Sequence, residues 1–332
     1  MPPEWAPHER CWMAWPCRPE LWGERMPAAR RAVAEIAKAI AEFEPVTMIA
    51  RPDLTAEASL HCGRGISVLP LEHDDSWMRD VAPTFVRDAK GALAGIDWRF
   101  NGYGGVAPSY AADAKLAEVI CERLKIPRFA APIVLEGGAI HVDGAGTCLV
   151  CAESVLDARR NPGLDRADVA RVLGDHLGVD KVIWLERGLV DDPSGGHVDN
   201  LACFVRPGTV LALRSRDAED ANHEILRENI ERLRSARDAA GRELEVIEID
   251  QPAARFRNDG RRIPASYINF YPANGAVIVP IFDDTADQAA YRAIASAFPD
   301  REVVQIDASD LVVGGGGIHC IPQQQPAAGT PA

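Results

Sequence analysis

Gly314-Gly315-Gly316-Gly317-Ile318-His319-Cys320 is the last informative stretch of the chain, and the upstream sequence reads as machinery aimed at its cysteine. Four consecutive glycines give up conformational entropy that a merely structural loop has no reason to sacrifice, so backbone must pass close to something here. The run ends in a thiol, the most nucleophilic side chain available at neutral pH. A flexible linker ahead of a C-terminal tail is the alternative. Linkers, however, are usually interspersed with Ser or charge, which Ile-His-Cys-Ile-Pro does not resemble.

Working outward from the cysteine, a unit of helix, strand, polar loop and strand recurs five times. Helices are expected near residues 27–43, 113–124, 166–177, 217–240 and 285–298, with apolar residues at amphipathic spacing, such as Val33, Ile36, Ala37 and Ile40 in the first. Strands are expected at 46–50, 66–69, 84–86, 133–135, 140–142, 148–150, 182–185, 201–204, 210–213, 245–249, 267–270, 276–280 and 303–306. Five helices in 332 residues give about 66 residues per unit, too long for the common solenoids and compatible with a closed ring of modules. An ordinary α/β domain whose polar clusters happen to follow strands fits the same pattern. Pro-Gly-rich linkers of domain-boundary type are absent, so residues 1–326 are expected to form a single domain and 327–332 a disordered tail.

The bulk numbers exclude several function classes. With 47% apolar and 26% charged residues the chain has ample material for a core. A net charge of −13 and the lack of any Lys/Arg-rich run argue against a nucleic-acid partner, and weakly favour a cationic substrate. The N-terminal stretch has neither the basic nor the apolar region of a secretory signal, and no apolar run approaches the ~20 residues of a membrane span, so a cytoplasmic protein without membrane contact is expected. Eight cysteines fit that compartment. Cys148 and Cys151 form a CxxC within a strand, where residues three apart point to opposite faces, so they read as buried structural thiols rather than metal ligands.

Suppose the polar loops converge. They would then bring Asp80, Glu136, His197, Asp199 and Cys320 to one cavity. Each has a structural alternative: Asp80 as a solvated turn residue, Glu136-Gly137-Gly138 as a tight turn with a surface carboxylate, His197 as a satisfied core histidine. As a set they are more telling, because no core needs three carboxylates, an imidazole and a thiol together. The chemistry they fit is substitution at a guanidinium carbon. Asp80 and Asp199 suit a planar cation with paired N–H donors. Cys320 supplies a soft nucleophile, favoured as thiolate by the bound cation and a protonated His197. His197 would protonate departing ammonia and then deprotonate the hydrolytic water, with Glu136 orienting it from behind. No metal or cofactor is required.

The motifs Trp77-Met78-Arg79-Asp80, Glu136-Gly137-Gly138, Gly196-His197-Val198-Asp199-Asn200 and Gly314–Cys320 resemble those of the guanidine-modifying enzyme superfamily. Within it, the chain is most similar to the agmatine deiminase family along nearly its whole length. Pro3-Glu4-Trp5-Ala6-Pro7-His8-Glu9, Met13-Ala14-Trp15-Pro16, Ser266-Tyr267-Ile268-Asn269-Phe270-Tyr271 and Gln323-Gln324-Gln325-Pro326 share the likeness. The resemblance implies a five-bladed pseudo-symmetric α/β-propeller, the pentein fold, of repeated ββαβ modules. It further implies hydrolysis of agmatine to N-carbamoylputrescine and ammonia, for putrescine and polyamine biosynthesis, through an amidino-Cys320 intermediate. Asp80 and Asp199 would hold the guanidinium, His197 transfer protons, Glu136 support it, and Trp77 and Gly317 line the substrate. A homodimer or larger assembly is the family expectation. The sequence departs from the family pattern at Asp192-Pro193-Ser194-Gly195-Gly196-His197 and at Gly317, where Asn is usual. Peptidyl-arginine or another guanidino compound is the competing substrate, and a non-catalytic guanidino-ligand sensor the competing function.

Overall fold

In the computed structural model, which describes residues 1–329, the strands form five small sheets. The first module runs β1 (His8–Ala14), a helix at Met26–Ala41, β2 (Val46–Ala50), a helix at Thr55–Cys62 and β3 (Ile66–Pro70), all three strands parallel. The second is β4 (Thr84–Arg87), β5 (Leu93–Arg99), a helix at Leu116–Leu124 and β6 (Arg128–Val134), antiparallel then parallel. The third repeats this order with β7 (Ile140–Val142), β8 (Thr147–Cys151), a helix at Arg166–Leu177 and β9 (Lys181–Leu185). The fourth has β10 (Ala202–Arg206), β11 (Thr209–Arg214), a helix at His223–Ser235 and β12 (Glu245–Asp250). The fifth has β13 (Tyr271–Ala273), β14 (Ala276–Ile281), a helix at Asp287–Ala297 and β15 (Glu302–Asp307). Finally β16 (Gln323–Pro326) pairs antiparallel with β1, so the first module receives its missing strand from the far end of the chain.

Packing closes the ring as well. The helices of the third, fourth and fifth modules rest on β6, β9 and β12, each the last strand of the module before, and Met26–Ala41 rests on β15. Its buried face carries Ala29, Val33, Ile36, Ala37 and Ile40, the stripe expected from the sequence. The result is a five-module pseudo-symmetric α/β-propeller of ββαβ units, as anticipated. Local chemistry sets the boundaries. Arg166–Leu177 starts at a capping box between Asp165 and Asp168 and stops at Gly178, whose φ of 67° is left-handed.

Several expectations need correction. β1, β5, β13 and β16 have no counterpart in the sequence reading. The helix expected over 217–240 is confined to His223–Ser235. Before it, Asp217 and Asp220 accept hydrogen bonds from the backbone N–H groups of Glu219 and Asn222, which makes turns instead. The strand expected at 267–270 is a tight turn held by Ser266, whose hydroxyl donates to the Asn200 carbonyl and accepts from the Ile268 N–H. Of the tail expected at 327–332, the Ala327 N–H donates to the Pro7 carbonyl at 2.8 Å, and residues 330–332 lie outside the described region. Cys148 and Cys151 are both buried on β8. Among the described residues no helix is long and apolar enough to cross a membrane.

Candidate active site

The site is built by the segment that leads into the first strand of each module. Asp80 lies in a single helical turn, Met78–Val81, ahead of β4. Glu136 precedes the turn Gly137–Ala139 that opens β7, and His197 precedes the turn Val198–Asn200 before β10. Asn269 stands before β13 and Cys320 before β16. These turns pack on one another at the centre of the ring. Gly138 shows how tightly: a methyl group there would lie 2.6 Å from His197 Nδ1, 2.9 Å from Asp199 Oδ2 and 3.0 Å from Asp80 Oδ1.

All five chemically active side chains expected from the sequence therefore meet. His197 lies between two carboxylates, with Nε2 3.4 Å from Glu136 Oε2 and Nδ1 3.7 Å from Asp80 Oδ1. Asp80 Oδ1 also accepts the Gly138 N–H at 3.0 Å. Cys320 Sγ sits 3.5 Å from Asp199 Oδ2 and receives the Asn269 amide at 3.3 Å. The floor opens into a cavity of about 360 Å³ whose lining includes Trp77, Asp80, Tyr103, His197, Gly314–Gly316 and Cys320. Gly317 lies behind that lining, where a methyl group would meet Asn269 Oδ1 at 2.5 Å.

Other groups in and around the site were not singled out by the sequence reading. Arg160, buried, donates from Nε to both Glu136 oxygens at 2.9 and 3.1 Å. The Tyr103 hydroxyl donates to Asp80 Oδ2 at 2.9 Å, from a residue at φ 59° within Gly102–Gly105. His319 bonds Asp199 Oδ2 through Nδ1 at 3.0 Å and Glu4 Oε2 through Nε2 at 2.8 Å. Asn269 had the plainest available signal, since it occupies in the fifth module the place Glu136 holds in the third. His319 lies in the motif of the nucleophile itself, whereas Arg160 and Tyr103 reach the site from segments that give no hint of the target.

The electrostatics follow from burial and crowding. Burial raises Asp80 to about 6, aided by the charges of Asp199 and Glu136 and opposed by His197. Burial alone would lower His197, but Asp80, Glu136 and Asp199 outweigh it and lift the imidazole to about 9. For Glu136 and Asp199 burial is overridden by cationic neighbours. His197 and Arg160 hold the first below its ordinary value, and His319, His197 and Arg79 the second. Burial, with Asp199 and Asp80, pushes the Cys320 thiol well above its usual range. In the empty site the nucleophile is thus neutral and His197 charged. A cation placed among Asp80, Asp199 and Cys320 is what the arrangement calls for.

The comparisons with known proteins agree with this fold. The profile of the Porphyromonas-type peptidyl-arginine deiminases matches residues 1–326. The chain belongs to that family. It is 42% identical over 355 residues to the agmatine deiminase of Stutzerimonas stutzeri, covering 98% of this chain and 95% of that one. With the agmatine deiminase of Pseudomonas putida it shares 42% identity over 350 residues, 98% and 95% covered. The solved agmatine deiminase of Enterococcus faecalis superposes with a TM-score of 0.94 at 34% identity, covering 98% of this chain and 95% of that one.

Proposed function

We propose that this family member hydrolyses agmatine to N-carbamoylputrescine and ammonia, in the service of putrescine formation, and that it does so through a covalent amidino-cysteine. The observation that carries the reading is that Asp80, His197 and Cys320 line one cavity, with Glu136 and Asp199 directly behind His197 and Cys320. The agmatine deiminases to which the chain is similar support the choice of substrate.

Entry of a guanidinium adds one positive charge. That charge, beside Asp80, Asp199 and Cys320, favours release of the Cys320 proton to solvent and yields the thiolate when substrate is present to be attacked. The sulfur then bonds to the guanidinium carbon. The C–N bond to a terminal nitrogen breaks as His197, already protonated, donates a proton to the leaving ammonia. Neutral His197 takes a proton from water as hydroxide adds to the amidino carbon. The C–S bond then breaks, returning the thiolate, and the hydroxyl proton passes to the departing ammonia or solvent, leaving the neutral urea product. Glu136, fixed by Arg160, stabilises the imidazolium that each half-reaction needs.

A second reading is favoured by the cavity mouth. Arg18, Arg257 and Arg261 line it beside Glu20; Arg18 already lies 3.7 Å from Asp113 and Arg261 2.6 Å from Asp259, and a distal carboxylate such as that of free arginine would suit Arg257 and its neighbours better than agmatine's ammonium. Steady-state ammonia release from agmatine, free arginine and a peptidyl-arginine decides between them. The expected order places agmatine first; preference for arginine would transfer the reading to the mouth arginines. Cys320→Ala should release no ammonia from any of the three, and turnover by that variant would end the covalent mechanism.

A further inference from the structure

Behind the nucleophile lies a second polar cluster that the reaction as written does not use. Glu4, from the segment before β1, places Oε1 3.2 Å from Arg79 Nη1 and Oε2 2.8 Å from His319 Nε2. His319 Nδ1 in turn lies 3.0 Å from Asp199 Oδ2, the same oxygen that Cys320 Sγ approaches. Arg79 is the chain neighbour of Asp80, and His319 of Cys320. Arg79 also ties the two loops through backbone, its N–H donating to the Cys320 carbonyl at 3.2 Å and its Nε to the His319 carbonyl at 3.3 Å. Glu4 is thus clamped to the immediate neighbours of a guanidinium ligand and of the nucleophile.

The ring of His319 has a carboxylate oxygen on each nitrogen. A neutral imidazole has one N–H and one lone pair, so in this setting its lone pair would face an acceptor. Only the imidazolium donates at both ends. We infer that Glu4 and His319 act as a positioning pair: a permanently protonated His319, held by Glu4, keeps Asp199 ionised and aimed at the substrate's guanidinium. Neither touches the reacting atoms. The inference rests on the deiminase reading of this site and adds two residues to it.

The charges facing His319 support that state. Burial and the Arg79 guanidinium lower its proton affinity, and His141 lies with its ring centre 6.4 Å away. Glu4 and Asp199 oppose them and prevail, leaving His319 above the ordinary value. Glu4 itself is held well below its own ordinary value; burial would raise it, but Arg79, His319 and His141 override that. Without the Glu4 charge, Arg79 and His319 would be two buried cations sharing Asp199, and the imidazolium would give up its proton first.

The test is Glu4→Gln, which keeps shape and removes the charge. A charge-assisted hydrogen bond contributes ~1.5–3 kcal/mol, so kcat/KM for agmatine should fall roughly 10- to 100-fold, mostly through KM. The alkaline limb of the pH profile should also move to lower pH, whereas a residue needed only for folding would reduce the amount of active enzyme and leave the profile in place. In protein labelled with 15N-histidine and free of substrate, both ring nitrogens of His319, assigned by their loss in His319→Gln, should be protonated at pH 8. In Glu4→Gln one should lose its proton below that pH. A neutral His319 in the unmodified protein at pH 8 overturns the inference, as does a Glu4→Gln profile and KM unchanged from the parent. If Glu4→Gln fails to fold, the spectrum of the unmodified protein still decides. That spectrum needs no substrate, so its failure would leave the deiminase reading intact, and failure on agmatine would not touch it.

Discussion

Raising the pH through the titration of His197 should weaken the fold by an amount that the structure sets. The imidazole is buried between Asp80 and Glu136 and its proton affinity rises from 6.5 in the unfolded chain to about 9. A group whose folded value is raised contributes stability that is fully present below the unfolded value and lost as pH climbs through the folded one. The window is therefore pH 6.5 to about 9. At about 1.4 kcal/mol for each tenfold change in proton affinity, the loss comes to ~3 kcal/mol. Asp80, raised to about 6, loses its contribution in a separate, lower window, between its unfolded 3.8 and about 6. The assay is urea unfolding at closely spaced pH values from 6 to 10, on the parent and on His197→Gln, which retains bulk and hydrogen-bonding atoms but has no proton to lose. The difference between the two stability curves removes the background of the cysteines and leaves His197 together with the carboxylates it is coupled to. It should fall by ~3 kcal/mol across the window. A difference that stays flat, or that grows with pH, would refute the claim that three carboxylates outweigh burial at this imidazole.

Three more outcomes are expected. Arg160→Met strands Glu136 without its buried counter-ion, which should lower stability by ~3–5 kcal/mol, near 6 °C in Tm for a chain of this size, and reduce kcat; calorimetry and ammonia kinetics check both. Gly138→Ala should keep the fold but cut kcat/KM by at least ~100-fold, because its methyl group displaces His197, Asp199 and Asp80 together; near-parent kinetics would mean the turn relaxes freely. Asp80→Asn removes a charge from the guanidinium site and should raise KM for agmatine and lower kcat by ~100-fold or more, measured under the same ammonia assay.

Much of this was legible in the chain because the modules are local. Helices with a strong apolar stripe, such as Met26–Ala41, declare themselves wherever they pack. The strands that escaped notice had weaker local signals: β5 opens Leu-Ala-Gly, and β16 is Gln-Gln-Gln-Pro, a strand only because β1 needs a partner. At 267–270 an aromatic, apolar run looked like a strand, but Ser266 turns it so that Asn269 reaches Cys320. The central five residues stood out because each sits beside glycines or a second polar group. Glu4, Arg160 and Tyr103 did not, since what defines them is a partner far away in the sequence: Arg79 and His319 for Glu4, Glu136 for Arg160 and Asp80 for Tyr103. Gly317, the departure with no rationale in the sequence, acquires one here: it leaves room for the Asn269 side chain against which it packs.

The pairing of β1 with β16 also bears on how the protein is made. Synthesis runs from the N-terminus, so the ligands Asp80, Glu136, His197 and Asp199 emerge well before Cys320. Until β16 arrives, β1 has no partner on that edge, and the first and fifth blades meet through the packing of Met26–Ala41 on β15 without a strand pair to seal the join. A nascent chain can assemble four blades and the guanidinium-binding carboxylates, yet it has no nucleophile and an open seam. Catalytic competence and completion of the ring are then one event, reached only once Cys320 and β16 have been made.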